Sequence, residues 1–139
     1  MPMRFELATP TRQLVSTEAD EVVAPGSEGY FGVLPGHAPF LTTLGCGEVV
    51  YRQGRDERHL AVIGGFAEVG NDRVIILAEH AERPEEIDRD RAERARQRAE
   101  QRLAGRSADG PEEDIDYSRA LTALQRAQAR LQVVSKGGR

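Results

Sequence analysis

Cysteine is almost absent from this chain of 139 residues, because Cys46 is the only one. A single cysteine cannot close an internal disulfide, and no cluster of cysteines is available to hold zinc. The sequence also lacks any run of about 20 apolar residues, so we expect no segment to span a membrane. No charged and then apolar stretch opens the chain, so we do not expect secretion.

The chain also has no excess of basic residues. The chain has 19 Lys and Arg against 23 Asp and Glu, which gives a formal net charge of −4. Because nucleic-acid-binding domains usually present a basic surface, this balance argues against nucleic acid as a partner.

Composition divides the chain near residue 82. Most of the Gly and Pro residues and the β-branched residues come before this point, whereas Ala, Arg, Glu, Gln and Leu dominate after Pro84. The first group is typical of strands and turns, and the second contains mostly good helix formers. The sequence therefore predicts a β domain followed by a helical domain.

Short apolar segments in the β domain are separated by turn signals at spacings of about 8–12 residues, which indicates a sandwich or a barrel. We expect residues 60–63 and residues 66–69 to form separate strands, because Gly64 and Gly65 lie between them. The tripeptide at residues 70–72, Gly-Asn-Asp, predicts a hairpin turn, since Gly and Asn tolerate a positive φ.

The helical domain is predicted to contain two antiparallel helices. Pro84 suits the first turn of a helix, where its missing N–H costs nothing. Residues 105–113 interrupt the pattern with a bend near Asp109. Residues 111–114, Pro-Glu-Glu-Asp, begin a second helix, and residues 137–138 end it. Apolar residues at spacings of three and four form a packing seam on each helix. The seams are Ala92, Ala95, Ala99 and Leu103 on the first helix, and Tyr117, Ala120, Leu124, Ala127, Leu131 and Val134 on the second.

Arginines precede both seams by one position. They are Arg91, Arg94, Arg98 and Arg102 on the first helix and Arg119, Arg126 and Arg130 on the second. In an antiparallel pair these two stripes fall on the same side, because reversing a helix axis also reverses its sense of rotation. Like charges at this spacing repel, so the stripes favour a phosphate or an acidic protein surface as ligand. The alternative is a solvated face balanced by Asp90, Glu93 and Glu100.

Three segments of the β domain resemble the epsilon-subunit family of F-type ATP synthases. Residues 32–39, GVLPGHAP, are similar to the family's GxLPGHxP loop, and residues 64–69, GGFAEV, resemble its GGFxEV segment. Residues 78–82, AEHAE, resemble the end of its first domain. The resemblance implies an α+β fold, with an N-terminal antiparallel β-sandwich over residues 1–83 and a C-terminal antiparallel two-helix hairpin over residues 84–139.

The same resemblance implies a rotor subunit of a proton-translocating ATP synthase that is not itself catalytic. In this family the sandwich contacts the gamma subunit and the ring of c subunits. The extended hairpin contacts the alpha and beta subunits and blocks ATP hydrolysis. The implied location is the cytoplasmic face of the bacterial plasma membrane, with membrane contact only through the complex. Partner contacts are expected at Tyr30, Phe31, His37, Arg94, Arg102 and Arg119.

Residues 87–92, IDRDRA, match the IDxxRA motif through which some members of the family bind ATP. The match implies ATP as a regulatory ligand on the folded hairpin, with no cofactor required. Arginines would bind the phosphates, and carboxylates would accept hydrogen bonds from the base or orient the arginines. The implied residues are Glu82, Ile87, Asp88, Arg91, Ala92, Arg98, Arg126 and Arg130. The alternative is that Asp88 and Arg91 form only an ion pair at the helix start.

Several alternatives remain from the residues alone. The chain could be a free-standing nucleotide sensor, or a small enzyme that uses His37 with Glu28 or another carboxylate. The enzyme is disfavoured because the sequence shows neither a set of metal ligands nor a catalytic triad. For His37 the alternative to partner contact is a ring bonded to local backbone, and for Tyr30 and Phe31 it is core packing. We expect Cys46 to be a small buried residue.

Overall fold

The computed structural model describes residues 2–105 and 115–136. Its strands are β1 (Met3–Ala8), β2 (Gln13–Ala19), β3 (Glu21–Gly26), β4 (Gly29–Val33), β5 (Phe40–Thr43), β6 (Cys46–Gln53), β7 (Asp56–Gly70) and β8 (Arg73–Glu82). A 3-10 turn (Pro84–Glu86) leads to helix α1 (Arg89–Leu103), and α2 (Tyr117–Val134) follows. The predicted order, a β-sandwich and then two helices, is confirmed. The bend near Asp109, the expected helix start at residues 111–114 and the stop at residues 137–138 lie outside the described residues.

The strands are joined in the order β2-β1-β8-β7-β6-β3-β4, and β5 pairs with β7. Paired strands are antiparallel except for β1 and β8, which are parallel. Strand β7 is central, because its residues 56–63 pair with β6 and its residues 66–69 pair with β5. A single strand therefore contributes to both layers of the sandwich.

Strand β7 passes between the layers by bending at two glycines. Gly64 has a φ of 68° and Gly65 has a φ of 112°, which are values that other residues rarely adopt. The expectation of two separate strands at residues 60–63 and 66–69 is thus wrong, since the glycine pair bends the strand without ending it. Strand β8 also approaches Gly65 so closely that an added Cβ would lie 2.1 Å from the carbonyl oxygen of Leu77.

The core lies between the two layers and is built from alternating side chains. On β1, Phe5 and Leu7 are fully buried, and on β8 Val74 and Ile76 are fully buried. The Phe5 ring packs on Tyr51 with ring centroids 5.1 Å apart. Full burial of side chains of this size contributes about 1.5–3 kcal/mol each. The sandwich therefore provides a firm support for the helices.

Helix α1 begins later than the position of Pro84 predicted. Pro84 opens the 3-10 turn instead, and Ile87 follows in an extended conformation, buried in a small cluster with Ala61 and Val133. Asp88 then caps α1, because its carboxylate accepts the backbone N–H of Arg91 at 3.1 Å. The helix start is thus fixed by the cap and by the burial of Ile87.

Helix α2 packs against β6 and β7, and α1 packs on α2. Asp116 caps α2 by accepting the backbone N–H of Arg119 at 3.0 Å. The fully buried residues of the predicted seams are alanines: Ala92, Ala99, Ala120 and Ala127. The larger members of the seams are half-buried, and Tyr117 is exposed. The helix pair therefore buries much less apolar surface than the sandwich.

Replacing Gly65 by alanine is expected to destabilise the sandwich by at least about 2 kcal/mol, since the substitution combines an unfavourable φ with a backbone clash. Urea denaturation measures the change. Gly70→Ala is the matched control, because the space around Gly70 is open and its φ is not positive. Equal denaturation midpoints for Gly65→Ala and Gly70→Ala would contradict the role given to the bend.

Candidate functional site

A cleft of about 460 Å³ runs along the pair of helices. Its floor is formed by alanines of both helices: Ala92, Ala95, Ala99, Ala123 and Ala127. Its walls are formed by arginines: Arg91, Arg98 and Arg102 of α1, and Arg119, Arg126 and Arg130 of α2. Three carboxylates line it as well, those of Glu82, Glu86 and Asp88. We call this feature the arginine cleft.

The arginine cleft contains all but one of the residues predicted to bind ATP. The exception is Ile87, which is buried against the sheet and the end of α2. Arg102 and Arg119, predicted as partner contacts, also line the cleft.

Arg94 is not among the lining residues and is exposed on α1. The predicted stripe of four arginines on α1 is therefore wrong at this position. At 100° per residue, Arg94 lies about 60° away from the mean direction of the other three arginines. This angle is enough to turn its side chain out of the cleft.

The carboxylates that line the cleft are already engaged. Arg130 Nε lies 2.6 Å from Oε1 of Glu82, which orients that guanidinium at the end of β8. Asp88 holds the backbone N–H of Arg91 as a helix cap. Within the described residues, its carboxylate lies more than 4 Å from any guanidinium, so the ion pair considered as an alternative for Asp88 and Arg91 does not form.

The acidic residues of α1 do not balance the cleft either. Glu93 and Glu100 both bind Arg96, which lies outside the cleft, with Glu100 Oε1 at 2.6 Å from Arg96 Nη1. Over residues 2–105 and 115–136, no carboxylate lies within 4 Å of the guanidiniums of Arg91, Arg98, Arg102, Arg119 and Arg126. Five like charges therefore face one alanine-lined space, a chemistry that suits a phosphate chain or an acidic peptide.

One further carboxylate of the cleft is held by a residue that sequence reasoning did not find. Both oxygens of Glu86 accept hydrogen bonds from Arg12, at 2.6 and 3.0 Å, and the backbone N–H of Arg83 donates to the same carboxylate at 2.8 Å. These bonds lower the pKa of Glu86 from 4.5 to about 2. The pair connects the β1–β2 loop to the turn before α1, across 74 positions of sequence, so no local pattern could indicate it.

Comparison with known families agrees with this architecture in both parts of the chain. The family model described as the ATP synthase delta/epsilon chain β-sandwich domain matches residues 2–84, and the model of its long α-helix domain matches residues 85–135. The chain belongs to the delta/epsilon family of ATP synthase subunits. No helix in the described residues is both long enough and apolar enough to cross a bilayer.

Relatives in the delta/epsilon family are similar along most of their length. The ATP synthase epsilon chain 2 of Syntrophotalea carbinolica is 54% identical over 101 residues, which are 73% of each chain. The ATP synthase epsilon chain of Koribacter versatilis is 52% identical over 108 residues, covering 78% of this chain and 74% of that one. A chain in the Euglena gracilis mitochondrial ATP synthase shares the fold, with a TM-score of 0.78, 23% identity and coverage of 94% of this chain and 79% of that one.

The remaining site predictions for this delta/epsilon family chain fall on the sandwich. Tyr30 is 56% exposed, and its hydroxyl accepts the backbone N–H of Glu48 at 3.0 Å. Phe31 instead packs edge-on against Phe40, with ring centroids 5.2 Å apart, and contacts the core. Tyr30 thus remains available to a partner, whereas Phe31 follows the core-packing alternative.

His37 is exposed in the loop before β5. Its Nδ1 lies 2.6 Å from the carbonyl oxygen of Ala38, and its ring lies 5.2 Å from that of Phe40. The local backbone contact considered for this residue is therefore present. Within the described ranges, no three metal-ligating side chains converge. Cys46 is half-buried, and burial raises the pKa of its thiol.

Replacing Arg12 by glutamine is expected to raise the pKa of Glu86 from about 2 towards 4.5, because the guanidinium is the main cause of the lowering. A carboxylate with a lowered pKa stabilises the fold fully above its unfolded value and loses that effect as the pH falls through the folded value. The wild type should therefore be more stable than Arg12→Gln above pH 4.5, and the difference should shrink as the pH falls to about 2, where only the hydrogen bond from Arg12 to the carbonyl oxygen of Ala81 still contributes.

Urea denaturation at several pH values, with NMR titration of Glu86, measures both effects. Arg73→Gln is the control, since its pair with Glu68 is exposed at both ends and should contribute little at any pH. A pH-independent difference between the wild type and Arg12→Gln would contradict the assignment.

Proposed function

We propose that this chain is a central-stalk subunit of a proton-translocating F-type ATP synthase, not itself catalytic, that helps to couple proton flow to ATP synthesis. Membership of the delta/epsilon family is the observation that carries this proposal. The Euglena relative of similar fold lies in an assembly that contains F1 and a c-ring. The gamma subunit and the c-ring are the proposed partners of the sandwich, and the cytoplasmic face of the bacterial plasma membrane is the proposed location.

Exposed apolar side chains on the sandwich support contact with other subunits. Tyr30 and Leu34 are each more than half exposed, and Leu41 is 67% exposed. Large apolar side chains that remain in water commonly mark surfaces that a partner covers. The sandwich is thus proposed as the fixed part of the subunit, through which it joins the rotor.

The helix pair is proposed as the regulatory part. When it lies on the sandwich it permits ATP hydrolysis, and when it extends it contacts the alpha and beta subunits and blocks hydrolysis. The support is the arginine cleft, because its charges match acidic protein segments once the helices separate. Arg94, which is already exposed outside the cleft, would join the same contact.

The arginine cleft is further proposed to bind ATP while the helices are folded. Arg91, Arg98 and Arg126 are proposed to bind the phosphates, together with Arg130, which Glu82 orients. The volume of about 460 Å³ lies within the usual range for small-molecule sites. Glu82 is also the proposed acceptor for the base, whereas Asp88 and Ile87 act indirectly by fixing the start of α1.

Linkage connects the two proposed roles of the helices. A ligand that binds only the folded helix pair stabilises it by mass action, more strongly as the ligand concentration rises above its Kd. ATP would therefore favour the folded, permissive form, and falling ATP would release the extended, inhibitory form. The free-standing nucleotide sensor remains the second candidate, because the cleft lies entirely within this one chain.

Replacing Arg126 by glutamine is expected to weaken ATP binding by at least about tenfold, since a charge-assisted hydrogen bond contributes about 1.5–3 kcal/mol. Replacing Arg91 by glutamine should have a similar effect. Isothermal titration calorimetry on the full chain measures both affinities. Arg94→Gln is the matched control, because it removes an arginine from the same helix but outside the cleft. If Arg94→Gln weakened ATP binding equally, the effect would come from the overall charge of the chain, and the proposed site would be contradicted.

Truncating the chain before Glu85 is expected to increase ATP hydrolysis by the assembled enzyme at low ATP, because the inhibitory helices are gone while the sandwich remains. Hydrolysis by complexes with the full and truncated chains measures the effect. Affinity capture of both chains from the cells that produce them is the control for assembly. Capture without gamma, alpha or beta subunits would contradict the stalk proposal and favour the free-standing sensor, and unchanged hydrolysis would contradict only the inhibitory role.

A further inference from the structure

Glu48 carries a charge in an unusual place. It lies near the start of β6, its side chain is nearly inaccessible to water, and it is the one charged residue that is buried within residues 2–105 and 115–136. A buried carboxylate is costly unless hydrogen-bond donors surround it. The groups that donate to Glu48 therefore indicate what this position requires.

The donors to Glu48 come from two different parts of the chain. His59 Nδ1 on β7 lies 2.9 Å from Oε2. Lys136 Nζ, just after the end of α2, lies 3.0 Å from Oε2 and 3.2 Å from Oε1. Gln132 Nε2 on α2 lies 3.2 Å from Oε1. We call these four residues the Glu48 cluster; two of its three donors depend on the position of α2.

The surroundings of the Glu48 cluster indicate that α2 is attached to the sandwich mainly through its C-terminal end. Val133 is fully buried between Gln132 and Lys136 and packs with Ala61 and Ile87. Towards the other end of the same helix, Arg119 and Arg126 face the like charges of α1 across the arginine cleft. The sandwich thus holds α2 through its C-terminal half, where Arg130 meets Glu82 and Lys136 meets Glu48, and not at Arg119 and Arg126.

We propose that the Glu48 cluster fastens α2 to the sandwich and sets the balance between docked and released helices without any nucleotide. The reason is an asymmetry in solvation. In the docked state Glu48 is shielded from water and needs Lys136, whereas in the released state water replaces the lost donors. Removing Lys136 therefore destabilises only the docked state. The consequence for ATP hydrolysis rests on the proposed function, but the attachment itself is a property of the isolated chain.

Cys46 offers a native probe of this attachment. It lies two positions before Glu48 on β6 and is half-buried, and Arg126 and Arg130 of α2 are close enough to act on the pKa of its thiol. Release of α2 should uncover the thiol, so the rate of its reaction with a disulfide reagent reports the released population.

The test measures the reaction of Cys46 with Ellman's reagent in the full chain without nucleotide. Lys136→Met should increase the rate about tenfold, as expected for the loss of one hydrogen bond to a charged group. Lys136→Arg, which keeps the charge, should retain most of the protection. Arg89→Met is the matched control that should change nothing, because Arg89 is exposed on α1 and lies outside both the arginine cleft and the Glu48 cluster. Electrostatics alone would not accelerate the reaction, because removing a cation cannot make the thiolate more stable.

Two outcomes would overturn the proposal. One is a rate in Lys136→Met equal to that of the wild type. The other is faster amide hydrogen exchange throughout β1 and β8 in this variant, because the Glu48 cluster is proposed to hold the helix and not the sandwich. Adding ATP separates this inference from the nucleotide site. If ATP fails to slow the reaction while Lys136→Met still accelerates it, the ATP site is contradicted and the attachment stands.

Discussion

Six guanidinium groups face one another across the arginine cleft, and the two helices that carry them bury mainly alanine in return. Each pair of like charges at helix spacing is destabilising by about 0.2–0.5 kcal/mol, and an alanine seam provides little apolar area to offset it. The helix pair consequently depends on contacts outside itself. These contacts include the Arg12–Glu86 pair at its beginning, the Arg130–Glu82 pair beside β8 and the Glu48 cluster at its end.

This distribution of forces separates the molecule into a firm part and a weakly held part. The sandwich is stabilised by large side chains such as Phe5 and Ile76, and its two layers share β7. The helices are attached through a few polar contacts, which can be exchanged for others, and through the small apolar cluster of Ile87, Val133 and Ala61. A phosphate chain in the arginine cleft would relieve the repulsion and favour docking, whereas an acidic surface elsewhere would compete for the same arginines. Both effects follow from one arrangement of charge.

Periodicity made much of this architecture predictable. Residues three or four positions apart lie on the same side of a helix. The alanine seams and the common side of Arg98 and Arg126 could therefore be derived without coordinates. The same reasoning grouped Arg94 with the cleft, because a spacing of three and a spacing of four were treated alike. Gly64 and Gly65 were interpreted as a strand end, although glycine also permits the bend that is found there.

The contacts that attach the helices could not be predicted, because they join distant positions. Lys136 and Glu48 are 88 positions apart, and Arg12 and Glu86 are 74 apart. The parallel pairing of β1 with β8 is equally remote in sequence. The one local sign was Glu48, a charged residue between Gly47 and the buried Val49, because a charge is unusual in a strand that faces the core.

We propose that the helices dock weakly and that phosphate in the arginine cleft holds them in place. A spin-label distance between Asn71→Cys on the sandwich and Gln128→Cys on α2, in a Cys46→Ser background, tests it most directly. We expect two populations in the isolated chain, one docked and one released, and loss of the released population when ATP is added. A single docked distance that is the same with and without ATP would contradict it.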